Sequence, residues 1–161
     1  MIDDVVITQH TDRHPGADAA AQVGTPDRRA AFVLQWMHER ILRGRYDVSC
    51  DELTRTIRDG DYNCVTATIT YLELGRRCDL PLIAAQLPGH VRVRLTDPPG
   101  REIETTAIAG LTGLQPAQAA RPVSDAALVA KIYYNRGVRL FQEARFPEAI
   151  AATESALQLD P

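Results

Sequence analysis

Long apolar runs are missing from this sequence. No stretch approaches the roughly 18 residues a helix needs to span a bilayer, so neither a membrane span nor a membrane partner is expected. A dominant sign of charge is missing too. Lysine and arginine number 18 against 21 aspartates and glutamates, giving a net charge of −3 and a pI of about 5.8. That balance excludes the basic surface of a nucleic-acid binder. Cysteine is scarce: Cys50, Cys64 and Cys78 are all there is. An odd count without Cys-x-x-Cys spacing excludes a disulfide framework and points to a reducing, cytoplasmic setting. The opening Met1-Ile2-Asp3-Asp4 has neither the basic start nor the apolar stretch of a secretory signal. No Gly-rich phosphate loop or dinucleotide fingerprint occurs. His10 and His14, with Asp12 between them, are of metal-ligating type but lack further ligands, so no metal is expected.

What is present suits an ordinary globular protein. At 161 residues, 45% hydrophobic and 24% charged, the chain has room for one compact domain and a small appendage. Residues 1–24 read as a loose polar lead. Thr25 is a good N-cap and Pro26 suits a first helical position. Ala30, Val33, Leu34, Met37 and Ile41 then recur at helical spacing, and Gly44 follows. Ser49-Cys50-Asp51-Glu52 fits a capping box opening a short helix to about Ile57, which Gly60 closes. A third helix starts at Cys64. Its apolar residues surround the axis, which predicts a central, buried helix.

The period then changes to two. Leu82 to Leu87 reads as a strand, and Val91, Val93 and Leu95 alternate with His90, Arg92 and Arg94 in a second. Asp97-Pro98-Pro99-Gly100 is a turn, and a third strand follows through Glu102, Glu104 and Thr106. The fold class is α+β, with a Cys-bearing helix beside an antiparallel hairpin. Residues 111–124 read as a linker.

Three residues carry the candidate chemistry. Cys64 opens its helix, where the positive end of the helix dipole and free N–H groups favour a thiolate. His90 is the only histidine after that helix, and Glu104 lies in the next strand. A thiolate, a base that takes and returns its proton, and a carboxylate that orients the base make a catalytic triad. The test is register. With Leu95 opposite Arg101, His90 faces Thr106 and is diagonal to Glu104; a slip by one residue puts Glu104 on the other face. The rival reading uses the same register: Arg92 faces Glu104 and Arg94 faces Glu102, so these charges could be plain cross-strand ion pairs. Tyr62 and Asn63 adjoin the nucleophile as candidate substrate-binding residues, with capping as the other role for Asn63. Cys50 and Cys78 read as core thiols, and His38 as a solvated helix-face residue.

Asp59-Gly60-Asp61-Tyr62-Asn63-Cys64-Val65, then Leu87-Pro88-Gly89-His90-Val91-Arg92-Val93, then Ile103-Glu104-Thr105-Thr106 together resemble the transglutaminase-like superfamily of papain-type thiol folds. Tyr133, Gly137, Leu140, Phe146, Ala149, Ala156 and Pro161 stand at the spacing of a tetratricopeptide repeat. Arg136 and Thr153 depart from its usual large apolar choices. The combination is similar to bacterial proteins in which such repeats follow the thiol domain. The resemblance implies a thiol domain over 25–110 and a single repeat over 125–161. It implies Cys64 as nucleophile, His90 as general base and acid, and Glu104 as the orienting acid where many members have Asp. The substrate would be an amide of a protein or peptide, hydrolysed or transferred as a protease or transglutaminase-like enzyme would, with no cofactor. One repeat cannot bury its own core, so it is expected to pack on the preceding domain, on a protein partner or a second copy in a homo-oligomer, or against further repeats past Pro161. The rival functions are a catalytically degenerate protein-interaction module and, third, a structural assembly protein in which the repeat swaps between chains.

Overall fold

The computed structural model describes residues 24–98, 100–111 and 120–161. His10, Asp12 and His14 lie outside them, as does all of the expected lead but Gly24. Among the described residues the chain forms five helices and one four-stranded antiparallel sheet, a mixed α+β fold.

Helix α1 (Pro26–Arg40) starts where expected. Thr25 is extended, its hydroxyl oxygen accepts the Arg28 N–H at 3.4 Å, and Pro26 takes the first turn. The helix turns Ala30, Val33, Leu34 and Met37 into the core. Helix α2 (Leu53–Asp59) forms without the expected capping box. The Ser49 hydroxyl and N–H both donate to the Asp47 carboxylate, at 2.7 and 2.9 Å. These bonds hold Ser49 in a turn on Asp47, and the helix starts four residues later at Leu53. Gly60 ends α2 at φ 82°, in the left-handed region where glycine carries no Cβ penalty.

Helix α3 (Cys64–Arg77) is central, as its apolar circumference predicted. Val65, Ala67, Tyr71 and Leu72 are buried, and the Tyr71 hydroxyl donates to the Ala30 carbonyl at 2.9 Å, tying α3 to α1. Strands β1 (Leu82–Leu87) and β2 (His90–Leu95) are a hairpin closed by Pro88 and Gly89. Val91, Val93, Leu95, Leu82 and Ala84 face α1 and α3 as one core, which Ile103 of β3 (Arg101–Ile103) joins. β3 is shorter than its alternation suggested, because the chain turns back at Glu104, whose N–H donates to Gly110 O at 2.9 Å.

Two readings of the C-terminal part change. Part of the expected linker is a strand: β4 (Arg121–Val123) pairs with β1 at the sheet edge, in the order β3-β2-β1-β4. Pro122 is tolerated there because an edge strand needs fewer donors, but three residues with a proline give no strand signal in sequence. The terminal helices α4 (Asp125–Gln142) and α5 (Phe146–Leu159) form the expected hairpin, yet α4 is not free of the sheet-bearing core. Leu128 and Ile132 are buried in it, while Leu140, Ala149 and Ala152 form a second small cluster between the two helices. At Gly137 the helices come so close that a Cβ would sit 2.6 Å from Thr153 Oγ1. The departure at Arg136 has a structural use. Its guanidinium donates to Asp51 O at 3.1 Å, and Arg139 bonds the buried Asp51 carboxylate at 3.1 Å. The hairpin is therefore anchored to the loop before α2. Among the described residues no helix is long and apolar enough to cross a membrane.

Candidate active site

The position of Cys64 follows from Asn63. The Asn63 side-chain oxygen accepts the N–H groups of Val65 (2.9 Å) and Thr66 (3.0 Å), and Thr66 Oγ1 accepts the Asn63 N–H (3.0 Å). This reciprocal cap makes Cys64 the first helical residue and leaves its own N–H outside the helix ladder. From its other end, Asn63 Nδ2 donates to Cys50 O at 2.7 Å. Asn63 is 2% exposed and caps the helix, so of its two expected roles the structure bears out capping and corrects the one in binding substrate. Its side-chain polar atoms are spent on backbone.

His90 is the first residue of β2, beside the Gly89 turn. The β2–β3 register pairs Leu95 with Arg101, Arg94 with Glu102 and Val93 with Ile103, the register that puts His90 and Glu104 on one face. His90 Nε2 lies 2.7 Å from Glu104 Oε2. Of the rival ion pairs one forms as read, Arg94 with Glu102 at 2.6 Å, while Arg92 approaches Glu102 at 3.8 Å instead of Glu104. Cross-strand ion pairing is thus real in this hairpin, but it involves Glu102, which leaves Glu104 to the histidine.

The segment carrying Glu104 is clamped from several sides. Thr106 donates through its N–H and its hydroxyl to Glu104 Oε1, at 3.2 and 2.6 Å. The buried Thr105 hydroxyl pairs with that of Thr68 on α3 at 3.0 Å. Its carbonyl lies 3.1 Å from His38 Nε2. His38 is therefore not the solvated residue its neighbours in sequence suggested. It is half-buried, burial holds its pKa below the ordinary value, and the neutral ring donates to Thr105 O. Gly110 completes the clamp: a Cβ there would collide with the Glu104 carbonyl oxygen.

Cys64 is half-buried, and its thiol feels the His90 ring, the Val91 N–H and the Tyr46 hydroxyl. Since Nε2 of His90 is taken by Glu104, Nδ1 is the nitrogen left for the sulfur. Burial alone would raise the thiol pKa. The His90 hydrogen bond, the Val91 N–H, the imidazolium charge and Tyr46 outweigh it, so the thiol titrates below its ordinary value. The hydrogen bonds to Cys64 and then to Glu104 raise His90 to about 9 against the desolvation of its ring. Burial pushes Glu104 up, but the bonds from His90 and Thr106 prevail and hold it at about 2. All three shifts favour one state, a thiolate beside an imidazolium steadied by a carboxylate.

These shifts fix the sign of the pH dependence. His90, raised above its ordinary 6.5, stabilises the fold fully below that pH and loses the contribution as pH rises through about 9. Glu104, depressed from 4.5, contributes above that pH and loses it as pH falls through about 2. In Glu104→Gln the imidazolium loses its carboxylate, so the His90 ring should titrate well below 9 in an NMR pH series. An unchanged His90 titration would show that the 2.7 Å contact has no electrostatic consequence.

Tyr62 lies beside this centre as a wall more than as a donor. Its hydroxyl donates to Thr106 O at 3.5 Å, and its ring packs edge-on against His38 (5.9 Å) and Tyr46 (5.8 Å). Tyr46 was not legible as a site residue. It sits in a loop without periodicity, and only the fold brings it beside Tyr62. Cys50 and Cys78 are buried free thiols, as expected of core residues. Family models, curated proteins and solved structures were each compared with the chain, and none matches.

Proposed function

We propose that this chain is a thiol acyl-transfer enzyme, a transglutaminase-like hydrolase or transferase acting on amides of a protein or peptide in a reducing, cytoplasmic setting. The observation that carries the reading is the 2.7 Å contact between the His90 ring and Glu104, beside a Cys64 thiol whose pKa that ring lowers. The thiolate adds to the amide carbonyl carbon, and the carbonyl π pair moves to oxygen, where the Cys64 N–H receives it. His90 gives its Nδ1 proton to the nitrogen of the leaving amine as the C–N bond breaks. The thioester that remains is released when water or a second amine, losing a proton to His90, attacks it. Glu104 keeps the ring oriented throughout and stays ionised. Neither a metal nor an organic cofactor enters these steps.

A peptidyl vinyl sulfone tests this, because it bonds covalently only to an activated thiolate. The expected result is one adduct per chain, at Cys64 by peptide mapping, absent from Cys64→Ala. A folded native protein that stays unlabelled would overturn the enzyme reading. The interaction module would then stand, favoured by the exposed Tyr134, Phe141, Phe146, Ile150 and Leu157 on the terminal hairpin.

A further inference from the structure

We infer that Arg139, with Arg136 beside it on α4, is a positioning residue for Cys64: the terminal hairpin holds, through Asp51 and the Cys50 carbonyl, the cap that places the thiol. The inference rests on the thiol chemistry proposed above. The Asn63 amide is planar, so whatever fixes its nitrogen also fixes its oxygen. Its Nδ2 donates to Cys50 O at 2.7 Å and to Val48 O at 3.4 Å, while its Oδ1 accepts the Val65 and Thr66 N–H groups. The place of the Cys50 carbonyl therefore sets the plane of the amide. With it goes the first turn of α3, which opens on Cys64.

The peptide between Cys50 and Asp51 lies in neither a helix nor a strand, so no ladder of hydrogen bonds holds it. On the Cys50 side, the N–H donates to Asp47 O (2.9 Å) and the thiol to Asp61 O (3.3 Å). On the Asp51 side, the partners come from α4. Arg136 Nη2 donates to Asp51 O at 3.1 Å, and Arg139 donates through Nε and Nη2 to Asp51 Oδ2 at 3.2 and 3.1 Å. Arg136 Nε lies 3.6 Å from the same oxygen, buried and without a hydrogen bond. Asp51 itself is 4% exposed. A carboxylate buried between guanidiniums adds little net stability, because desolvation offsets the attraction; what it supplies is a single geometry.

The rest of α4 keeps the two arginines in place. At its first residue, Asp125 accepts two N–H groups of Arg76, near the C-terminal end of α3, at 2.8 and 2.7 Å. Leu128 and Ile132 are buried in the main core. From Asp125 to Arg139 is about 20 Å of helix, the length of the 14-residue α3. Helix α4 thus runs antiparallel along α3, pinned at both ends, and its second pin sits on the loop that carries the Cys50 carbonyl. Burial raises the Cys64 thiol pKa, and the His90 ring is the chief influence opposing it. A first turn released from its cap would move the sulfur relative to that ring.

Alkylation by iodoacetamide, followed against pH at the Cys64 peptide, reads the setting of the thiol and not the stability of the fold. Arg139→Gln removes the charged fork on Asp51. It should move the midpoint of the profile up by about one pH unit, which is an about tenfold loss of rate at pH 6, and leave the plateau rate nearly unchanged. Arg139→Lys, which keeps the charge, should restore part of the shift. Arg76→Gln cuts the pin at the far end of α4 and should leave the midpoint at its native value. Asp51→Asn keeps the shape of its side chain and should shift the profile as Arg139→Gln does, so the test survives if one of these two fails to fold. A native midpoint in folded Arg139→Gln or folded Asp51→Asn, or an equal shift in Arg76→Gln, would overturn this role and leave Cys64 as nucleophile. Native protein whose Cys64 follows the profile of a free thiol would remove the thiol chemistry itself, and this role with it.

Discussion

At pH 6, iodoacetamide should modify one thiol per chain, Cys64, and His90→Ala should slow that reaction by about two orders of magnitude. Thiolate is the reactive form, and an ordinary thiol with a pKa of about 8.5 is only about 0.3% ionised at this pH. Cys64 is held below its ordinary value, chiefly by the His90 ring acting against the burial of the sulfur. Without the imidazole, burial is no longer opposed by its main counterweight, and the thiol returns toward or above the ordinary range. Part of the gain is offset, since a thiolate of low basicity is a weaker nucleophile. The measurement is clean because Cys50 and Cys78 are buried, and burial raises the Cys78 thiol pKa further. Alkylation of native Cys64 no faster than that of a free thiol would mean that the sulfur and the imidazole do not communicate, whatever their separation.

The largest stability effect is expected at Asn63. Asn63→Ala removes the acceptor for the Val65 and Thr66 N–H groups and the donor to Cys50 O, all in a site where Asn63 is 2% exposed. Loss of an N-cap costs about 1 kcal/mol, and leaving buried polar groups without partners adds about 1–3 kcal/mol. The sum, about 3 kcal/mol, corresponds to a fall of about 10 °C in Tm for a chain of this size. Asn63→Asp separates the two parts. It keeps the cap and loses the link to Cys50 O, so its melting point should fall between those of native and Asn63→Ala. A melting point unchanged in Asn63→Ala would contradict the buried cap on which the placement of Cys64 depends. The consequence reaches chemistry as well, because the cap decides that Cys64 is the first helical residue.

Local patterns were legible where neighbours in space are neighbours in sequence. Thr25 and Pro26 started α1, and alternation bounded β1 and β2 at Leu82–Leu87 and His90–Leu95. The short turn after Leu95, where Gly100 N–H donates to Asp97 O at 2.6 Å, fixed the register from which the His90–Glu104 contact could be anticipated. Ser49 is not the helix start because its N–H and hydroxyl close a turn onto Asp47, ahead of Leu53. β4 was missed because its hydrogen bonds are all with β1, distant in sequence. The same holds for His38, whose partner is the Thr105 carbonyl, and for Gly110, which only the returning loop presses against Glu104.

The amino-acid order by itself determined which side chains share a strand face, where the helix of Cys64 starts, and that His90 and Glu104 share one face of the hairpin. Those are consequences of fixed backbone periods and of capping chemistry acting over a few residues. Only the tertiary structure decided that Glu104 belongs to His90 while Arg92 turns to Glu102, that Asn63 faces inward, that α4 is rooted in the main core, and that Tyr46 lies beside Tyr62. Each of these depends on close approach between segments far apart along the chain, which packing and hydrogen-bond competition settle after the local elements have formed.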